Sequence, residues 1–374
     1  MHRISPRTSA PSSACLSSVK PCPRMAHHSV LYPPSSPPSS AVIGCIGEDQ
    51  QRAIHAYTRT LVNNEHEAIY VHLEGSRTPS SGQIRAIALM YDAVTDYDPR
   101  ISLVPLLPAA GWSTEAVAES LPHPITIALP LQGKHTPPLQ GFAQHLIEQL
   151  ASRGPIPSLV YLDLDQEPEA EAVAASIHMP QVILPALGGG QQQSQPCPQA
   201  NAEHQGKQQG LEEPNLPLCF QRIALGGTFD RMHCGHRLLL ATAALVAQET
   251  AYVGITAEQL LANKNHAEML ESYDARRDAA VAFMQAVRPG LKVVAGALVD
   301  PQEPTQAELD PSMEAIVVSR ETLGGAEKIN AGRVRRGFKP LVIVVVPVIG
   351  GKDASNKLSS SQLRAQDAAA LGRG

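Results

Sequence analysis

A short apolar segment that ends in two glycines constrains the fold of this 374-residue chain more than any other feature. Residues 222–225 predict a strand, Gly226 and Gly227 a tight turn, and residues 237–248 a helix of good helix formers. A strand that turns through glycines into a helix is typical of doubly wound α/β sheets, which bind ligands beyond the carboxyl ends of their strands. Such a turn lets the backbone approach a phosphate, and the helix start offers free N–H groups to an anion. The segment therefore predicts a phosphate-binding turn in an α/β domain.

The alternation of strands and helices continues after this turn. Further strands are predicted at residues 251–255, 291–297, 314–319 and 341–347, and further helices at 273–287, 321–334 and from about 359. The last of these strands is apolar at nearly every position, as expected for a parallel strand that is covered on both faces. We therefore expect a doubly wound, mainly parallel sheet.

Composition divides the chain into four parts. Residues 1–40 are predicted to be a disordered or targeting extension, because Ser and Pro dominate there and no Asp or Glu occurs. Residues 41–187 are predicted to be a smaller α/β domain of unknown role, and residues 188–217, rich in Gln, Gly and Pro, a flexible linker. Residues 218–374 form the second α/β domain. In the first domain, strands are predicted at 68–73, 101–107, 125–129 and 159–164, and helices at 50–61, 83–93 and 139–151.

Bulk properties exclude several classes of partner. The net charge is −5 and aromatic residues make up 4% of the chain, so we expect no nucleic-acid surface. The longest apolar run, residues 341–349, is too short to span a bilayer, so no membrane is expected as a partner. The six cysteines form no C-x-x-C pair, which argues against a disulfide scaffold or a structural zinc site. A cytoplasmic location fits best, and the acid-free residues 1–40 leave a mitochondrion or plastid as the alternative.

Two histidines begin the helix that follows the glycine turn. His233 and His236 are three residues apart and fall on one face, where two imidazoles can donate hydrogen bonds to a nucleotide triphosphate. Together with Cys234 they could instead ligate a metal, although neighbouring positions 233 and 234 project differently and no further ligand cluster is visible. They could also be ordinary polar residues of a helix start. The strand and the glycines in front of them weigh against that reading.

A serine run, Ser359 to Ser361, marks the start of the last predicted helix. Three hydroxyls at that position could simply cap the helix. They could equally bind a β- or γ-phosphate, with Lys357 and Arg364 adding positive charge.

Taken together, the glycine turn and the serine run resemble the nucleotidylyltransferase superfamily. The first reads Gly-Gly-Thr-Phe-Asp-x-x-His-x-Gly-His over residues 226–236, and the second reads Ser-Ser-Ser-x-x-Arg over residues 359–364. Within the superfamily the chain is similar to eukaryotic-type phosphopantetheine adenylyltransferases, including the adenylyltransferase part of bifunctional CoA synthase. Residues 41–187 are similar only faintly, around 69–73, to the region that precedes this part in animals. The match continues through residues 253–255, 260–264, 272–276, 300–301, 310–312, 317–322 and 324–330.

The resemblance covers nearly all of the second domain and implies a Rossmann-like fold and a role for each matching residue. Thr228 and the backbone amide of Phe229 are expected to bind the phosphate of phosphopantetheine. His233, His236 and Lys264 are expected to be catalytic, with the two histidines on ATP phosphates and Lys264 on both reacting phosphates. The other ATP-binding residues that it implies are Gly226, Gly227, Ser359, Ser360, Ser361 and Arg364.

Two arginines are harder to assign. Arg320 stands where the family has an acidic residue, and we assign it to the substrate. Arg276 is either a ribose or phosphate contact, or a charge on a helix surface. No residue is assigned to a metal.

The resemblance implies a pantetheine-phosphate adenylyltransferase of coenzyme A biosynthesis. It would convert ATP and 4′-phosphopantetheine to dephospho-CoA and pyrophosphate, with Mg²⁺ accompanying ATP. The sequence contains no G-x-x-x-x-G-K-[ST] loop, so we expect the product to pass to a separate dephospho-CoA kinase. One alternative is a cytidylyltransferase of a phosphorylated alcohol, although residues 357–364 do not match its usual R-T-x-G-I-S-T segment. Another is a non-catalytic nucleotide-binding scaffold, which two intact phosphate-binding segments weigh against.

Overall fold

The computed structural model contains two α/β layers that pack against each other. No helix among its described residues has the length and apolar character needed to cross a membrane. The predicted extension 1–40 and nearly all of the predicted linker 188–217 lie outside the described residues. The structure describes residues 41–46, 54–62, 68–95, 97–120, 125–131, 141–153, 157–163, 176–185, 217–350 and 359–372.

The first layer is a five-stranded parallel sheet in the order β3-β2-β1-β4-β5. Its central strands are buried along their whole length, which explains why they are continuously apolar rather than alternating. Its strands are β1 (Ala41–Ile46), β2 (Ala68–Leu73), β3 (Leu103–Leu106), β4 (Ile125–Leu131) and β5 (Ser158–Asp163). Its helices are α1 (Ile54–Val62), α2 (Ser81–Thr95), α3 (Thr114–Ser120) and α4 (Gly141–Ala151).

The second layer is a six-stranded sheet in the order β6-β11-β10-β7-β8-β9. Its five sequential strands run parallel, and the edge strand β6 pairs antiparallel with β11. Its strands are β6 (Gln181–Ile183), β7 (Phe220–Gly227), β8 (Ala247–Thr256), β9 (Lys292–Leu298), β10 (Ala315–Val318) and β11 (Val342–Val345). Its helices are α5 (Cys234–Val246), α6 (Tyr273–Val287), α7 (Gln306–Leu309), α8 (Leu323–Arg335) and α9 (Ser360–Leu371).

Apart from the edge strand β6, both layers have the strand order of a doubly wound sheet, with β1 or β7 at the centre and the chain winding outward to each side. In the second sheet the winding reverses between β7 and β10. A doubly wound sheet binds its ligands at this reversal, beyond the carboxyl ends of the strands. The glycine turn lies at the carboxyl end of β7, so the fold places it at the expected position.

Helices α2 and α5 join the two layers. Ten residues of each helix are buried, and one continuous apolar core runs through both layers. A helix that is apolar on nearly all sides must be covered on nearly all sides. For α5 the sheet of its own layer covers one side, and α2 of the first layer covers another. The first layer is thus part of the packing of the helix that carries His236.

The predicted elements agree with the structure in type, with four additions: strands β1 and β6 and the short helices α3 and α7. Strand β1 had not been singled out, because Ala41–Ile46 follows directly on the Ser- and Pro-rich extension. Strand β6 lies within residues 41–187, yet it pairs with β11 of the second sheet. Residues 181–183 therefore belong structurally to the second layer, although they precede the predicted linker.

His72 is an unusual buried residue in the first layer. Its side chain is 1% exposed, neither ring nitrogen has a hydrogen-bond partner, and the ring stacks on Phe142 with 3.3 Å between centroids. Burial lowers the pKa of His72 from 6.5 to about 3, because a charged imidazole cannot be solvated there.

This burial predicts an acid-sensitive contribution to stability. The unfolded chain binds a proton at His72 below pH 6.5 whereas the folded chain does not, so stability is present above pH 6.5 and is lost as the pH falls towards 3. At pH 5 the loss is about 2 kcal/mol. His72→Leu should therefore reduce the drop in unfolding free energy between pH 7.5 and pH 5, measured by urea denaturation. The exposed His145 provides the control variant, His145→Leu, which should leave the drop unchanged. Equal drops in all three proteins would contradict the assignment.

Candidate nucleotide-binding site

The glycine turn and the start of α5 form the centre of the site. His233 is the N-cap of α5, and its Nδ1 accepts a hydrogen bond from the backbone N–H of Gly235 at 3.2 Å. The N–H of Cys234 donates to the carbonyl oxygen of Pro99 at 2.9 Å. The prediction of free N–H groups at this helix start is therefore wrong for Cys234 and Gly235, because protein groups already accept from both. Because Nδ1 of His233 is an acceptor, its neutral ring carries the proton on Nε2.

The two imidazoles form a stacked pair. The ring centroids of His233 and His236 are 3.9 Å apart, and the ring planes are inclined by 22°. Burial, with Arg237 nearby, lowers the pKa of His233 to about 4. The pKa of His236 is held well below its usual range by burial and by the neighbouring His233, Arg237 and Lys264. Both rings are therefore neutral at pH 7, and each can donate one N–H. Among the described residues, the buried Nδ1 of His236 has no hydrogen-bond partner, so no described protein group satisfies this nitrogen.

The metal-ligand alternative finds no support in this geometry. The thiol of Cys234 donates to the carbonyl oxygen of Pro99 at 3.2 Å, and burial raises its pKa to about 12. The part of the chain that the structure describes contains no group of three or more His, Cys, Asp or Glu side chains that could hold a metal.

Phe229 fixes the shape of the glycine turn. Its φ of 52° is unusual for a residue with a side chain, and the ring is fully buried, with its centroid 5.4 Å from that of His236. A Cβ at Gly227 would lie 2.9 Å from this ring, so glycine is required at that position for close packing. Thr228, between these two residues, is partly buried at the rim of the turn.

A buried ion pair joins the glycine turn to the serine run. Nη1 of Arg364 donates to Oδ2 of Asp230 at 2.6 Å, and the two side chains are 1% and 0% exposed. The same guanidinium donates to the hydroxyl of Ser361 at 3.0 Å and to the carbonyl oxygen of Asn265 at 3.1 Å. The two segments, 134 residues apart in sequence, therefore meet directly. The role of Arg364 as an ATP ligand stays a prediction, since here its nitrogens bind protein groups.

A second ion pair reinforces this junction. Arg231, whose φ is 47°, donates through Nε to Asp367 of α9 at 2.6 Å. Its Nη1 donates to the carbonyl oxygen of Met269 at 2.5 Å and contacts Asp230 at 3.3 Å. Asp230 and Arg231 thus bind Arg364 and Asp367, which lie three residues apart on one face of α9.

Arg276 is buried below the glycine turn. It is 0% exposed, so the helix-surface alternative is wrong. Its Nη1 donates to the carbonyl oxygens of Thr228 at 2.9 Å and Thr256 at 2.8 Å, which ties together the ends of β7 and β8. Its Nη2 is buried without a hydrogen-bond partner, and Glu258 lies 3.9 Å from it.

The serine run begins α9 as a cap. The hydroxyl of Ser359 accepts from the N–H of Gln362 at 3.3 Å, and Ser361 binds Arg364. Ser360 is partly buried beside them. The capping alternative is therefore confirmed for Ser359, while phosphate binding by the run stays a prediction. Lys357 lies outside the described residues.

The two remaining residues with a predicted role, Lys264 and Arg320, lie outside the α-helices and strands. Lys264 is exposed, and its ammonium group is close enough to His236 to lower the pKa of that imidazole. Arg320 is exposed in a single helical turn, Arg320–Thr322, that follows β10. Its role in substrate binding stays a prediction.

An open cleft of about 750 Å³ adjoins the glycine turn. It lies over β7, β8 and β9, and residues of α7 and α8 line its other side. Its floor is a row of three glycines in register, Gly226, Gly254 and Gly296. The side chain of Leu298 packs over Gly254 and beside Gly226, whereas the space above Gly296 is open. Apolar walls come from Leu298, Ile316, Val318, Ala326 and Ile329, and polar rims from Asp300, Glu303, Thr305 and Thr322.

Several residues that build this site had no assigned role in the sequence. Asp230 was part of a recognised motif, but only the structure reveals its partner. Arg231 and Asp367 had been passed over entirely. The spacing of Arg364 and Asp367 on one helix face was the available signal, and it does not say what that face contacts.

The buried pair of Asp230 and Arg364 predicts a large loss of stability when one partner is removed. Asp230→Ala leaves a buried guanidinium without its counter-ion, so we expect the free energy of unfolding to fall by about 3–5 kcal/mol in chemical denaturation. Asp274→Ala is the control, because its ion pair with Arg277 is exposed and should contribute nothing measurable. Similar losses in the two variants would contradict the structural role of Asp230.

Comparison with known proteins agrees with this geometry. A family model described as cytidylyltransferase-like matches residues 224–366. Phosphopantetheine adenylyltransferase of Saccharomyces cerevisiae is 39% identical over 166 residues, and the chain spans about half of that protein (54%), with 44% of this chain aligned. The proteins of the same name from Pyrococcus horikoshii and Methanopyrus kandleri are each 36% identical over 147 residues. These alignments cover 39% of this chain and 89% and 90%, respectively, of those proteins. With nearly the full length of such relatives matched, the chain belongs to the phosphopantetheine adenylyltransferase family of nucleotidyltransferases.

Proposed function

We propose that this protein transfers the adenylyl group of ATP to 4′-phosphopantetheine. The acceptor phosphate attacks the α-phosphorus of ATP, a new P–O–P bond forms, and the bond to the β-phosphate breaks to release pyrophosphate. The products are dephospho-CoA and pyrophosphate. The acceptor phosphate, with a second pKa near 6, is already mostly ionised at neutral pH, so the reaction requires no protein base. The site has to align the reactants and neutralise charge.

The neutral imidazole pair supports a role as hydrogen-bond donors. Nε2–H of His233 is set by the acceptor role of its Nδ1, and His236 has an unsatisfied buried nitrogen. A donor that is preorganised in a water-poor site needs no rearrangement when charge develops on a phosphate oxygen. Triphosphate binding would supply the missing partner. We therefore assign both histidines to the ATP phosphates, and His236 to the reacting α-phosphate.

Two cations support binding of the reacting phosphates. Arg276 holds the carbonyl oxygen of Thr228, and its Nη2 is buried without a hydrogen-bond partner beside the glycine turn. Lys264 is exposed on the loop that follows β8, and its ammonium group is close enough to His236 to lower the pKa of that imidazole. A phosphate bound at Thr228 would have the guanidinium of Arg276 beside it. We assign to Arg276 the role of a fixed positive charge beside the bound phosphate, and to Lys264 the role of binding the reacting phosphates.

The glycine-floored cleft supports an extended acceptor. Phosphopantetheine carries a slender chain of methylene and amide groups, which a cleft with apolar walls and a few polar groups at its rim can accept. The cleft begins at Gly226 and Gly227, where the phosphate would be held, and continues between Leu298 and Ile329. Apolar walls with a few polar groups are typical of small-molecule sites. We assign the pantetheine arm to this cleft.

The remaining assignments extend the same proposal. Mg²⁺ would arrive with ATP as its phosphate complex and would keep several of its waters. The product would pass to a separate dephospho-CoA kinase. We propose a cytoplasmic location.

The observation that carries the proposal is the meeting of the glycine turn and the serine run at the Asp230–Arg364 pair. A nucleotide triphosphate must be gripped at both ends, and this pair brings the two phosphate-binding segments to one place.

The decisive experiment is product analysis with the purified chain. Incubation with MgATP and 4′-phosphopantetheine should give dephospho-CoA and one pyrophosphate per turnover, detected by mass spectrometry, whereas MgCTP should give far less product. His236→Ala should lower kcat by roughly 100- to 1000-fold, because it removes a preorganised donor from the transition state. His145→Ala, at an exposed histidine of the first layer, is the control and should keep wild-type turnover. Near-normal turnover by His236→Ala would refute the role of that residue, and an inactive wild-type chain would refute the activity.

The cleft assignment predicts a selective effect at Gly296. A Cβ at this position meets no atom within 4 Å, so Gly296→Val should fold normally while its side chain fills the cleft floor. We expect KM for 4′-phosphopantetheine to rise by about tenfold or more, with KM for ATP nearly unchanged. Lys292→Val is the matched control, since residue 292 is exposed on the same strand and outside the cleft. An increase in KM for ATP alone would place the nucleotide, not the acceptor, in this cleft.

A further inference from the structure

The first layer reaches the site through a tight turn at residues 98–101. The side chain of Asp98 accepts from the N–H of Arg100 at 2.9 Å, and its carbonyl oxygen accepts from the N–H of Ile101 at 3.0 Å. Pro99 fixes its own φ angle between them. A turn that is held by its own hydrogen bonds and by proline is already ordered before it contacts a partner. We call residues 98–101 the docking turn.

The docking turn caps the helix that carries the two histidines. The carbonyl oxygen of Pro99 accepts from both the N–H and the thiol of Cys234, the residue between His233 and Gly235. This carbonyl thus fixes the first residue of α5 from outside its own layer. The carbonyl oxygen of Arg100 accepts from Nη2 of Arg237, one residue after His236, at 3.4 Å.

The docking turn also binds the helix that carries the serine run. Nη2 of Arg100 donates to Oδ1 of Asp367 at 2.7 Å, while Oδ2 of the same carboxylate accepts from Arg231. Arg100 therefore neutralises and orients the carboxylate that ties α9 to the glycine turn. The pair is partly exposed, at 42% for Arg100 and 29% for Asp367, so it can be altered without opening the core.

A third contact reaches the segment that leads to the serine run. The N–H of Gly350 donates to Oδ1 of Asp92 at 2.7 Å, near the end of α2, and Oδ2 of Asp92 lies 3.3 Å from Nε2 of His55. The first layer thus contacts the second layer at the first residue of α5, on α9 and after β11. These are the segments that surround the proposed triphosphate.

We propose that the first layer is a positioning element for nucleotide binding, and that Arg100 acts through Asp367 to hold the serine run against the glycine turn. This inference rests on the proposed function. Arg100 itself does not touch the nucleotide. It is a positioning residue whose loss should weaken the grip on ATP before it affects folding.

The test uses charge variants of the full chain. Arg100→Glu sets two carboxylates against each other at Asp367, whereas Arg100→Lys keeps the cation. Arg153→Glu is the matched control, since it makes the same change of charge at an exposed ion pair with Glu119 inside the first layer. The affinity for MgATP is measured by calorimetry, followed by kcat and KM with both substrates.

The single tryptophan, Trp112, is buried at the contact between the layers and donates to the carbonyl oxygen of Val287, so its emission reports whether the layers stay together.

We expect Arg100→Glu to raise Kd and KM for ATP by at least about fivefold, with Trp112 emission unchanged. Arg100→Lys should stay within about twofold of wild type, and Arg153→Glu should match wild type. The defect of Arg100→Glu should shrink as ionic strength rises, which a purely structural defect would not do. If the Trp112 emission of Arg100→Glu shifts, the neutral variant Arg100→Gln replaces it, and its Kd and KM for ATP are compared with those of wild type and Arg153→Glu.

Wild-type ATP affinity in Arg100→Glu, or an equal loss in Arg153→Glu, would overturn the inference. A wild-type chain that binds ATP without forming dephospho-CoA would overturn the proposed function alone, because the ATP affinities would still decide the role of Arg100. A wild-type chain that does not bind ATP would overturn both.

Discussion

The site depends on one buried ion pair. Asp230 and Arg364 are almost completely removed from water, so each needs the other, and the cost of burying the two charges is offset only because further hydrogen bonds satisfy them. Asp230 also accepts from the N–H of Glu271, and Arg364 also donates to Ser361 and Asn265. Removing either partner would leave the other charge buried without a counter-ion, so the pair holds the glycine turn and the serine run together.

Burial also decides how the imidazoles can act. In water, two histidines at pH 7 would be partly protonated, and a pair of stacked cations would repel each other. Here burial, Arg237 and Lys264 keep His233 and His236 neutral. Under the proposed function, positive charge beside the phosphates would come from Arg276, Lys264 and the dipole of α5, while the imidazoles would provide directed N–H groups. Cations that neutralise charge, together with neutral imidazoles that orient the phosphates, suit a reaction in which alignment matters more than proton transfer.

Much of the fold and the centre of the site could be predicted from the sequence. Strand and helix patterns are local, and the glycine turn with its two histidines is a contiguous segment whose function depends on its own backbone. The partners could not be predicted, because they depend on contacts between distant segments. Asp230 gave no sign that it binds Arg364, and Arg276 read equally well as a surface charge. Strand β6 was missed since three residues carry too little pattern to show which sheet they join.

Apart from the edge strand β6, the two layers share one strand order, and one helix start in each layer shows a different way of satisfying backbone N–H groups. In the first layer the carboxylate of Glu74 accepts from the N–H of Phe142 at 3.0 Å, so a protein carboxylate already occupies the anion position at the start of α4. In the second layer a neutral carbonyl, that of Pro99, caps α5 instead. A carbonyl satisfies the N–H without cancelling the positive end of the helix dipole, so the field at the glycine turn remains available to a phosphate. The first layer thus closes the start of α4 with an acid, whereas at α5 it supplies a neutral carbonyl, which under the proposed function would leave room for the anion of a substrate.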